Sequence, residues 1–180
     1  MKKLQTLAFV LSSASVLALG ASPGFAQSAG QIVTKQYDTG GVYEGTFKDG
    51  KQHGTGTYRL PNGYEYIGEW VNGEIQGKGS ARFPNGSVYE GDFTAGKPAG
   101  TGKITFADGG TYEGSWVKGK ISGDGVAKYA NGVVYEGGFT EAKHHGKGTM
   151  TSPNGYRYSG DWERGEKNGS GQITYPDGAT

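Results

Sequence analysis

The sequence predicts an all-β protein built as an elongated single-layer antiparallel sheet of tandem β-hairpins. Glycine supplies 36 of the 180 residues, and this excludes a helical bundle because glycine inside a helix costs about 1 kcal/mol relative to alanine. Aromatic residues make up 12% of the chain and the formal net charge is only +1, so the composition does not match that of a disordered protein. The third observation is a tyrosine that recurs at one constant spacing, as Tyr43, Tyr66, Tyr89, Tyr112, Tyr135 and Tyr158.

Residues 1–26 have the pattern of a secretory signal peptide. Two lysines precede an apolar stretch from Leu7 to Leu19, and small residues lead up to Ala26. We therefore expect cleavage after Ala26 and a mature protein that is periplasmic or secreted. The stretch is shorter than the roughly 20 apolar residues of a membrane span, so an uncleaved anchor is the less favoured alternative.

The rest of the chain divides into six units of equal length without insertion, preceded by residues 27–42. In each unit a tyrosine is followed two residues later by glycine and four residues later by Phe or Trp, an alternation typical of a β-strand. Two glycines separated by one residue then introduce a second strand, and each unit is closed by Asn-Gly or Asp-Gly. Each unit is therefore a predicted hairpin. The units are 43–65, 66–88, 89–111, 112–134, 135–157 and 158–180.

The turn between units follows from strand parity, because residues opposite one another in an antiparallel pair share a face of the sheet. A two-residue loop would set Arg82 opposite Tyr89. A three-residue loop from Pro84 to Gly86 instead sets Ala81 opposite Tyr89 and keeps the aromatic residues on one face. We expect this three-residue loop, with a glycine bulge, in every unit.

Glycine is predicted to serve both in the sheet and in the turns. Gly68 and Gly79 put no side chain on the aromatic face, so that rings such as Tyr66 can lie flat over the bare backbone. Within each hairpin, a dipeptide such as Asp49-Gly50 is predicted to form the turn. Unit five departs from this pattern because it carries Ala142 where the other units have glycine.

Tyr-Glu-Gly-x-Phe/Trp, followed by Gly-Lys-x-x-Gly-x-Gly and Pro-Asn-Gly on a 23-residue pitch, resembles the MORN (membrane occupation and recognition nexus) repeat. The resemblance covers residues 43–180. It implies an elongated β-sheet array with an aromatic-lined groove, used as a scaffold, dimerisation or ligand-binding element. Ile32 to Gly40 resembles one further second strand and its turn, and is expected to cap the N-terminal edge.

The aromatic row is the candidate groove for a ligand or partner. A one-layer sheet must also use this row as its core, so two interpretations stay open: a core alone, or a core that also presents an exposed stacking surface. A protein partner or self-association is the expected use, and stacking of a cell-wall carbohydrate or a lipid head group is the alternative. The candidate residues are Tyr66, Trp70, Tyr89, Tyr112, Trp116, Tyr135, Tyr158 and Trp162.

The sequence predicts no catalytic, cofactor or metal site. Cysteine is absent, and the stretch from Gly96 to Ile104 lacks the spacing of a phosphate-binding loop. His53 and His145 occupy the same position four units apart, roughly 38 Å by strand spacing, so they cannot share a metal. His144, beside His145, is predicted to lie in a solvated loop. We therefore expect a non-enzymatic protein.

The balance of charged residues gives an expectation about partners. With 18 basic and 17 acidic residues, nothing draws the protein to nucleic acid, and charge does not support contact with lipid.

The sequence stops at Thr180, after a turn whose following strand is missing. This predicts either a truncated reading frame or a last hairpin that pairs with the edge of a partner.

Overall fold

The computed structural model describes residues 30–180, which form one antiparallel sheet of 13 strands. The strands lie in the sheet in chain order, so every connection is a hairpin, and the predicted all-β hairpin array is confirmed. The strands are β1 (Val33–Gln36), β2 (Val42–Lys48), β3 (Lys51–Arg59), β4 (Glu65–Val71), β5 (Glu74–Arg82), β6 (Val88–Thr94), β7 (Lys97–Thr105), β8 (Thr111–Val117), β9 (Lys120–Lys128), β10 (Val134–Thr140), β11 (Lys143–Thr151), β12 (Arg157–Glu163) and β13 (Glu166–Thr174). Residues 30–180 contain no helix that is long and apolar enough to cross a membrane. The predicted signal peptide lies outside the described residues.

Within each unit a two-residue turn joins the strands. In unit one, Lys48 pairs with Lys51, and Asp49 and Gly50 between them both have left-handed backbones, with φ of 50° and 74°. Turns of this kind match the right-handed twist of the strands. Ala142 takes the same conformation in unit five, with φ of 61°.

The turn between units has the predicted three-residue form. The Phe83 N–H donates to the Ser87 carbonyl over 2.8 Å, and the Gly86 N–H donates to the Phe83 carbonyl over 2.9 Å. Gly86 has φ of 86°, and Ala81 lies opposite Tyr89. Equivalent bonds occur at all seven turns of this type, so the parity prediction is confirmed.

Each second strand begins earlier than predicted: β5 begins at Glu74, directly after the turn, so the glycine pair lies inside the strand and does not introduce it. The two glycines of the pair have different roles. Gly77 has φ of 94° and lies where the pairing of β4 and β5 shifts register between Gly68 and Trp70. Such a bulge bends its strand. Gly79 has no such φ, but a Cβ added there would collide with the ring of Tyr66. One glycine of the pair therefore permits a backbone bend, and the other leaves room for a ring.

A continuous row of glycines crosses the sheet from β2 to β13. Each member lies directly opposite the next, so the row is a strip of bare backbone on the aromatic face. The row consists of Gly45, Gly56, Gly68, Gly79, Gly91, Gly102, Gly114, Gly125, Gly137, Gly148, Gly160 and Gly171. This row provides the floor on which the aromatic core rests.

The short strand β1 lies at the N-terminal edge of the sheet. Val33 pairs with Gly45 and Lys35 with Tyr43, so β1 continues the two central rows of the array. Tyr37 then begins a turn of the same type as those between units, with its N–H donating to the Gly41 carbonyl over 2.8 Å.

Candidate functional site

A row of tyrosines lies over the glycine floor at the centre of the aromatic face. Each hydroxyl donates to the backbone carbonyl three residues further on; for Tyr89 the acceptor is the Asp92 carbonyl at 2.9 Å. Burial removes water from the ring and raises the pKa of Tyr112 to about 12, so the hydroxyl keeps its proton and remains a donor. The row consists of Tyr43, Tyr66, Tyr89, Tyr112 and Tyr135, all fully buried, and Tyr158, which is 5% exposed.

The Phe and Trp rings link the tyrosines into one chain of edge-to-face contacts. The Tyr89 ring lies 5.1 Å from Phe93 of its own unit and 4.9 Å from Trp116 of the next. The indole N–H of Trp116 donates to the Gly102 carbonyl over 3.1 Å. Edge-to-face pairs of this kind each contribute about 0.5–1.5 kcal/mol beyond area burial, so the aromatic core also joins neighbouring units.

The eight candidate groove residues all lie in this core. Tyr66, Tyr89, Tyr112 and Tyr135 are fully buried, and Trp70, Trp116, Tyr158 and Trp162 are at most 5% exposed. Direct stacking requires an open ring face, and these rings offer almost none. Their first role is therefore structural, and a partner that approaches the aromatic face meets mainly the residues around them.

A second set of side chains occupies the position nine residues after each tyrosine. In unit five this residue is His144, whose ring is stacked on Tyr135 with centroids 3.6 Å apart. Tyr135 is thus enclosed between His144 and the backbone of Gly148, where an added Cβ would meet the Tyr135 ring. We call this set the cover residues: Gln52, Ile75, Pro98, Ile121, His144 and Lys167.

His144 is buried, so the prediction of a solvated loop is wrong for this residue. The second strand begins directly after the two-residue turn, at Lys143, and its second residue therefore points into the core. His144 is only 6% exposed. His145 is exposed and His53 half-buried. Among residues 30–180, no group of three or more histidine, cysteine or acidic side chains is arranged to hold a metal.

Only one of the two ring nitrogens of His144 has a hydrogen-bond partner in the described chain. Its Nε2 lies 2.7 Å from the Tyr129 hydroxyl, whereas its Nδ1 is buried without a hydrogen-bond partner in the described chain. Trp162 and Phe139 pack edge-on against the ring. Loss of solvation lowers the pKa of His144 to about 4, so the imidazole is neutral at physiological pH.

The residues directly before and after each three-residue turn form the margin of the aromatic face. We call them the shoulder residues. Those before the turns are Tyr37, Leu60, Phe83, Phe106, Tyr129, Ser152 and Tyr175, and those after the turns are Gly41, Tyr64, Ser87, Gly110, Val133, Tyr156 and Ala179. Tyr37, Leu60, Phe106 and Tyr129 are half-buried, and Tyr175 is 49% exposed. Phe83, Tyr64 and Ser87 are at most 8% exposed, so only part of the shoulder set provides accessible apolar surface beside the buried tyrosine row.

Sequence reasoning missed the shoulders as candidates because their residue type varies from unit to unit. A signal was nevertheless present: the residue immediately before each of the first five of these turns, from Tyr37 to Tyr129, is large and apolar or aromatic. Two polar cover residues contact this set at the same separation of 15 residues along the chain. Gln52 donates to the Tyr37 hydroxyl over 2.6 Å, and His144 meets Tyr129 at the same separation.

The opposite face of the sheet carries the ion pairs, and Ile67, Val71 and Val117 are exposed apolar residues on it. The Arg59 guanidinium lies 2.8 Å from the Glu65 carboxylate, and Lys78 lies 2.6 Å from Asp92. The hydrogen bond from Lys78 is the main reason that the pKa of Asp92 is lowered. Pairs as exposed as these stabilise a fold by at most about 1 kcal/mol.

A shallow open depression of about 690 Å³ lies in units five and six. It is lined by Glu136, Lys147, Thr149, Ser159 and Ser170 together with four glycines of the central row. Ser159 occupies a position where every other unit has Glu or Ile, and this small residue helps to leave the space open.

Comparison with known proteins gives a family and a fold. The sequence model of the MORN repeat matches residues 43–63, 66–88, 89–111, 112–134, 135–155 and 158–180. Alsin of Rattus norvegicus is 36% identical over 58 residues, which are 29% of this chain and 4% of alsin. The chain therefore spans only a small part of that relative's length.

Two solved structures share the architecture. One is the SAS-4 (dCPAP) TCP domain of Drosophila melanogaster in complex with a proline-rich motif of Ana2 (dSTIL), with a TM-score of 0.51 and 13% identity over 91% of this chain and 95% of that chain. The other is the G-box domain of the microcephaly protein CPAP, with a TM-score of 0.51 and 16% identity over 81% and 75%. At these identities the likeness shows the fold alone.

Proposed function

The chain belongs to the MORN repeat family, and we propose that it is a non-enzymatic scaffold that binds a protein partner along the shoulders of its aromatic face. One observation carries the proposal. The rings of the tyrosine row are buried, whereas the shoulders Tyr37, Leu60, Phe106 and Tyr129 beside it are only half-buried. The face therefore has a buried centre and a margin that is accessible at these four shoulders.

The contrast between constant central residues and variable shoulder residues is typical of a repeat scaffold. In the central row the same residue types recur in every unit, as the packing of rings on a glycine floor requires. At the shoulders the residue type changes from Tyr to Leu, Phe and Ser. Repeat arrays present extended surfaces of this kind, in which constant residues maintain the fold and variable ones meet the partner.

The fold neighbour from Drosophila melanogaster offers an analogy. That TCP domain was solved in complex with a proline-rich motif of another protein, so a sheet of similar architecture holds a peptide there. The analogy is one of fold only. It supports a peptide-binding role for this chain in general and does not identify the partner.

The proposal of a non-enzymatic role draws on the residues of both faces. Within residues 30–180, no catalytic constellation recurs on the shoulders or on the opposite face, and His144, whose pKa is shifted, has only a tyrosine hydroxyl as polar partner. We further propose that the protein acts in the periplasm or outside the cell, on the basis of the signal-peptide pattern of residues 1–26. N-terminal sequencing of the protein recovered from a periplasmic extract and from culture medium tests this, with Gln27 as the expected first residue.

Site-specific photo-crosslinking in cells tests the binding surface. A photo-reactive amino acid replaces Leu60 or Phe106 on the shoulders, and the matched controls replace Ile67, 52% exposed, or Val117, 54% exposed, both of which lie away from the shoulders. We expect a discrete crosslinked protein from the shoulder positions alone. Crosslinks that arise equally from the controls, or none from either shoulder position, would contradict the proposal.

A further inference from the structure

The shoulder residues before the turns, from Tyr37 to Tyr129, form a row that we call the shoulder strip. Its members are evenly spaced across the sheet. Consecutive members such as Leu60, Phe83 and Phe106 are one unit apart and belong to turns separated by two strands. At about 4.8 Å per strand, the shoulders recur about every 9.6 Å across the sheet. No unit contains an insertion, so this pitch is kept from Tyr37 to Tyr129.

The pitch matches one peptide conformation in particular. A polyproline II helix has three residues per turn and rises about 3.1 Å per residue, so equivalent side chains recur about every 9.3 Å. Over the four intervals between Tyr37 and Tyr129 the accumulated difference is about 1.2 Å, which side-chain rotation absorbs. A β-strand does not fit, because its side chains alternate between two faces and every third residue points away from the previous one.

The chemistry of the strip also suits proline. In the middle of the strip, the shoulders Leu60, Phe83 and Phe106 are all apolar. Leu60 and Phe106 are half-buried, and Phe83 between them is 8% exposed. Aromatic-lined grooves bind the apolar rings of polyproline II ligands. Proline also has no N–H, so a proline placed against this apolar strip leaves no buried donor unsatisfied.

The N-terminal end of the strip supplies hydrogen-bond donors and a positive charge. The Tyr37 hydroxyl accepts a bond from Gln52, so its own proton is available to a peptide carbonyl, and polyproline II carbonyls need such external donors. The Lys35 ammonium lies 5.2 Å from the centroid of the Tyr37 ring. An acidic side chain of the ligand is therefore favoured at this end, which gives the ligand a direction.

From these observations we infer that the ligand of the shoulder strip is a proline-rich segment in the polyproline II conformation. It runs across the strands, with a proline at every third residue over about 13 residues. The strip ends at Ser152, which replaces the large shoulder residue in unit five. This inference rests on the proposed function and specifies the chemistry of the partner.

Binding of two peptide pools to the full-length protein tests the inference. The peptides of both pools have the length inferred for the ligand and carry five prolines, and their other positions are randomised. In the first pool the prolines occur at every third residue, and in the second they are spaced alternately by two and four. We expect the first pool to contain binders at least tenfold tighter than any in the second. Equal affinities from the two pools would overturn the inference.

Variants then locate the site. Phe106→Ser copies the residue found at Ser152, and we expect it to weaken the tightest peptide about tenfold, whereas Ser152→Ala leaves its affinity unchanged. Leu60→Ser provides a second variant with the same expected loss. Thermal unfolding shows which variants are folded. A folded Phe106→Ser or Leu60→Ser protein that binds as well as the unaltered chain would count against the strip as the site.

Two further probes separate this inference from the proposed function. One is a pool of peptides of the same length without proline, and the other is a set of soluble cell-wall glycan fragments. Binding of proline-free peptides in a manner sensitive to Leu60→Ser would overturn the proline-rich ligand and leave the protein scaffold standing. Binding of glycan alone would overturn both.

Discussion

The imidazole ring of His144 lies parallel to the phenol ring of Tyr135, with centroids 3.6 Å apart and 9° between the planes. The same position is held by Ile75 and Ile121 in other units, so an ionisable group stands where the fold elsewhere uses a branched aliphatic one. Around it lie aromatic rings and the hydroxyl of Tyr129, and the described contacts of the ring include no carboxylate that could stabilise an imidazolium.

This burial predicts that stability falls in mild acid. The pKa of His144 is about 4 in the folded protein, against an ordinary value of 6.5. The neutral ring is therefore favoured by folding, and its contribution to the free energy of unfolding is complete above pH 6.5 and declines as the pH falls towards 4. The loss at pH 5 is about 2 kcal/mol.

Urea unfolding at pH 7.5 and pH 5 measures this loss. The unaltered chain should lose about 2 kcal/mol more between the two pH values than His144→Ile, which carries the residue found at Ile75 and Ile121. Both proteins share every other titrating group, so the difference isolates His144. Equal losses in the two proteins would show that the imidazole does not govern acid stability.

The glycine floor predicts a steric penalty that is independent of backbone conformation. At Gly102 an added Cβ would meet the ring of Tyr89, which is fully buried and cannot move aside. We expect Gly102→Ala to lower the free energy of unfolding by about 1–3 kcal/mol. The neighbouring Lys103→Ala, at an exposed position, should stay within about 0.5 kcal/mol. Chemical denaturation compares the two, and similar effects would argue against close packing of the ring on the floor.

The turn of unit five predicts a stabilising substitution. Ala142 has φ of 61°, a conformation that costs a residue with a Cβ about 1 kcal/mol. Ala142→Gly should therefore raise the free energy of unfolding by up to about 1 kcal/mol, because it restores the residue of the other five units. The reciprocal Gly119→Ala, where φ is 81°, should lower it by a similar amount. Shifts in the same direction for both variants would exclude backbone strain as the cause.

The buried hydroxyls of the tyrosine row predict a cost for removing a single oxygen atom. Tyr89→Phe leaves the ring in place but deprives the Asp92 carbonyl of its donor at 2.9 Å, and we expect a loss of about 1 kcal/mol. Tyr175→Phe is the control, since that side chain is 49% exposed. Melting temperatures of the two variants should separate by several degrees, and identical melting would mean that the internal hydrogen bond contributes nothing.

Repetition is the reason that the fold could be predicted from the sequence. The tyrosine, the glycines and the Asn-Gly or Asp-Gly turns each occur six times at one spacing, and strand parity then selected the three-residue loop at Pro84 to Gly86. The prediction that Tyr66 rests on Gly68 and Gly79 relied on the same periodicity. The position of the aromatic row could therefore be predicted.

The burial of that row was harder to predict, because the cover residues vary in type: isoleucine occurs twice, and glutamine, proline, histidine and lysine occur once each. His144 illustrates the difficulty. His144 lies six residues before Met150, so alternation along the second strand, continued back to its first residue Lys143, places both side chains on the same face. The sequence-based prediction begins the second strand at the glycine pair and therefore assigns His144 to a loop.

The hydrogen bonds between units have a consequence for the length of the molecule. The N–H of the second turn residue donates to the unit before it, as in the bond from Gly96 to the Ile75 carbonyl at 3.0 Å. Strand pairing likewise involves adjacent strands only. A whole unit can therefore be gained or lost by duplication or deletion while its neighbours keep their type of interface. Each such event changes the span of the sheet by about 9.6 Å, so the length of the molecule changes in equal steps with the number of units.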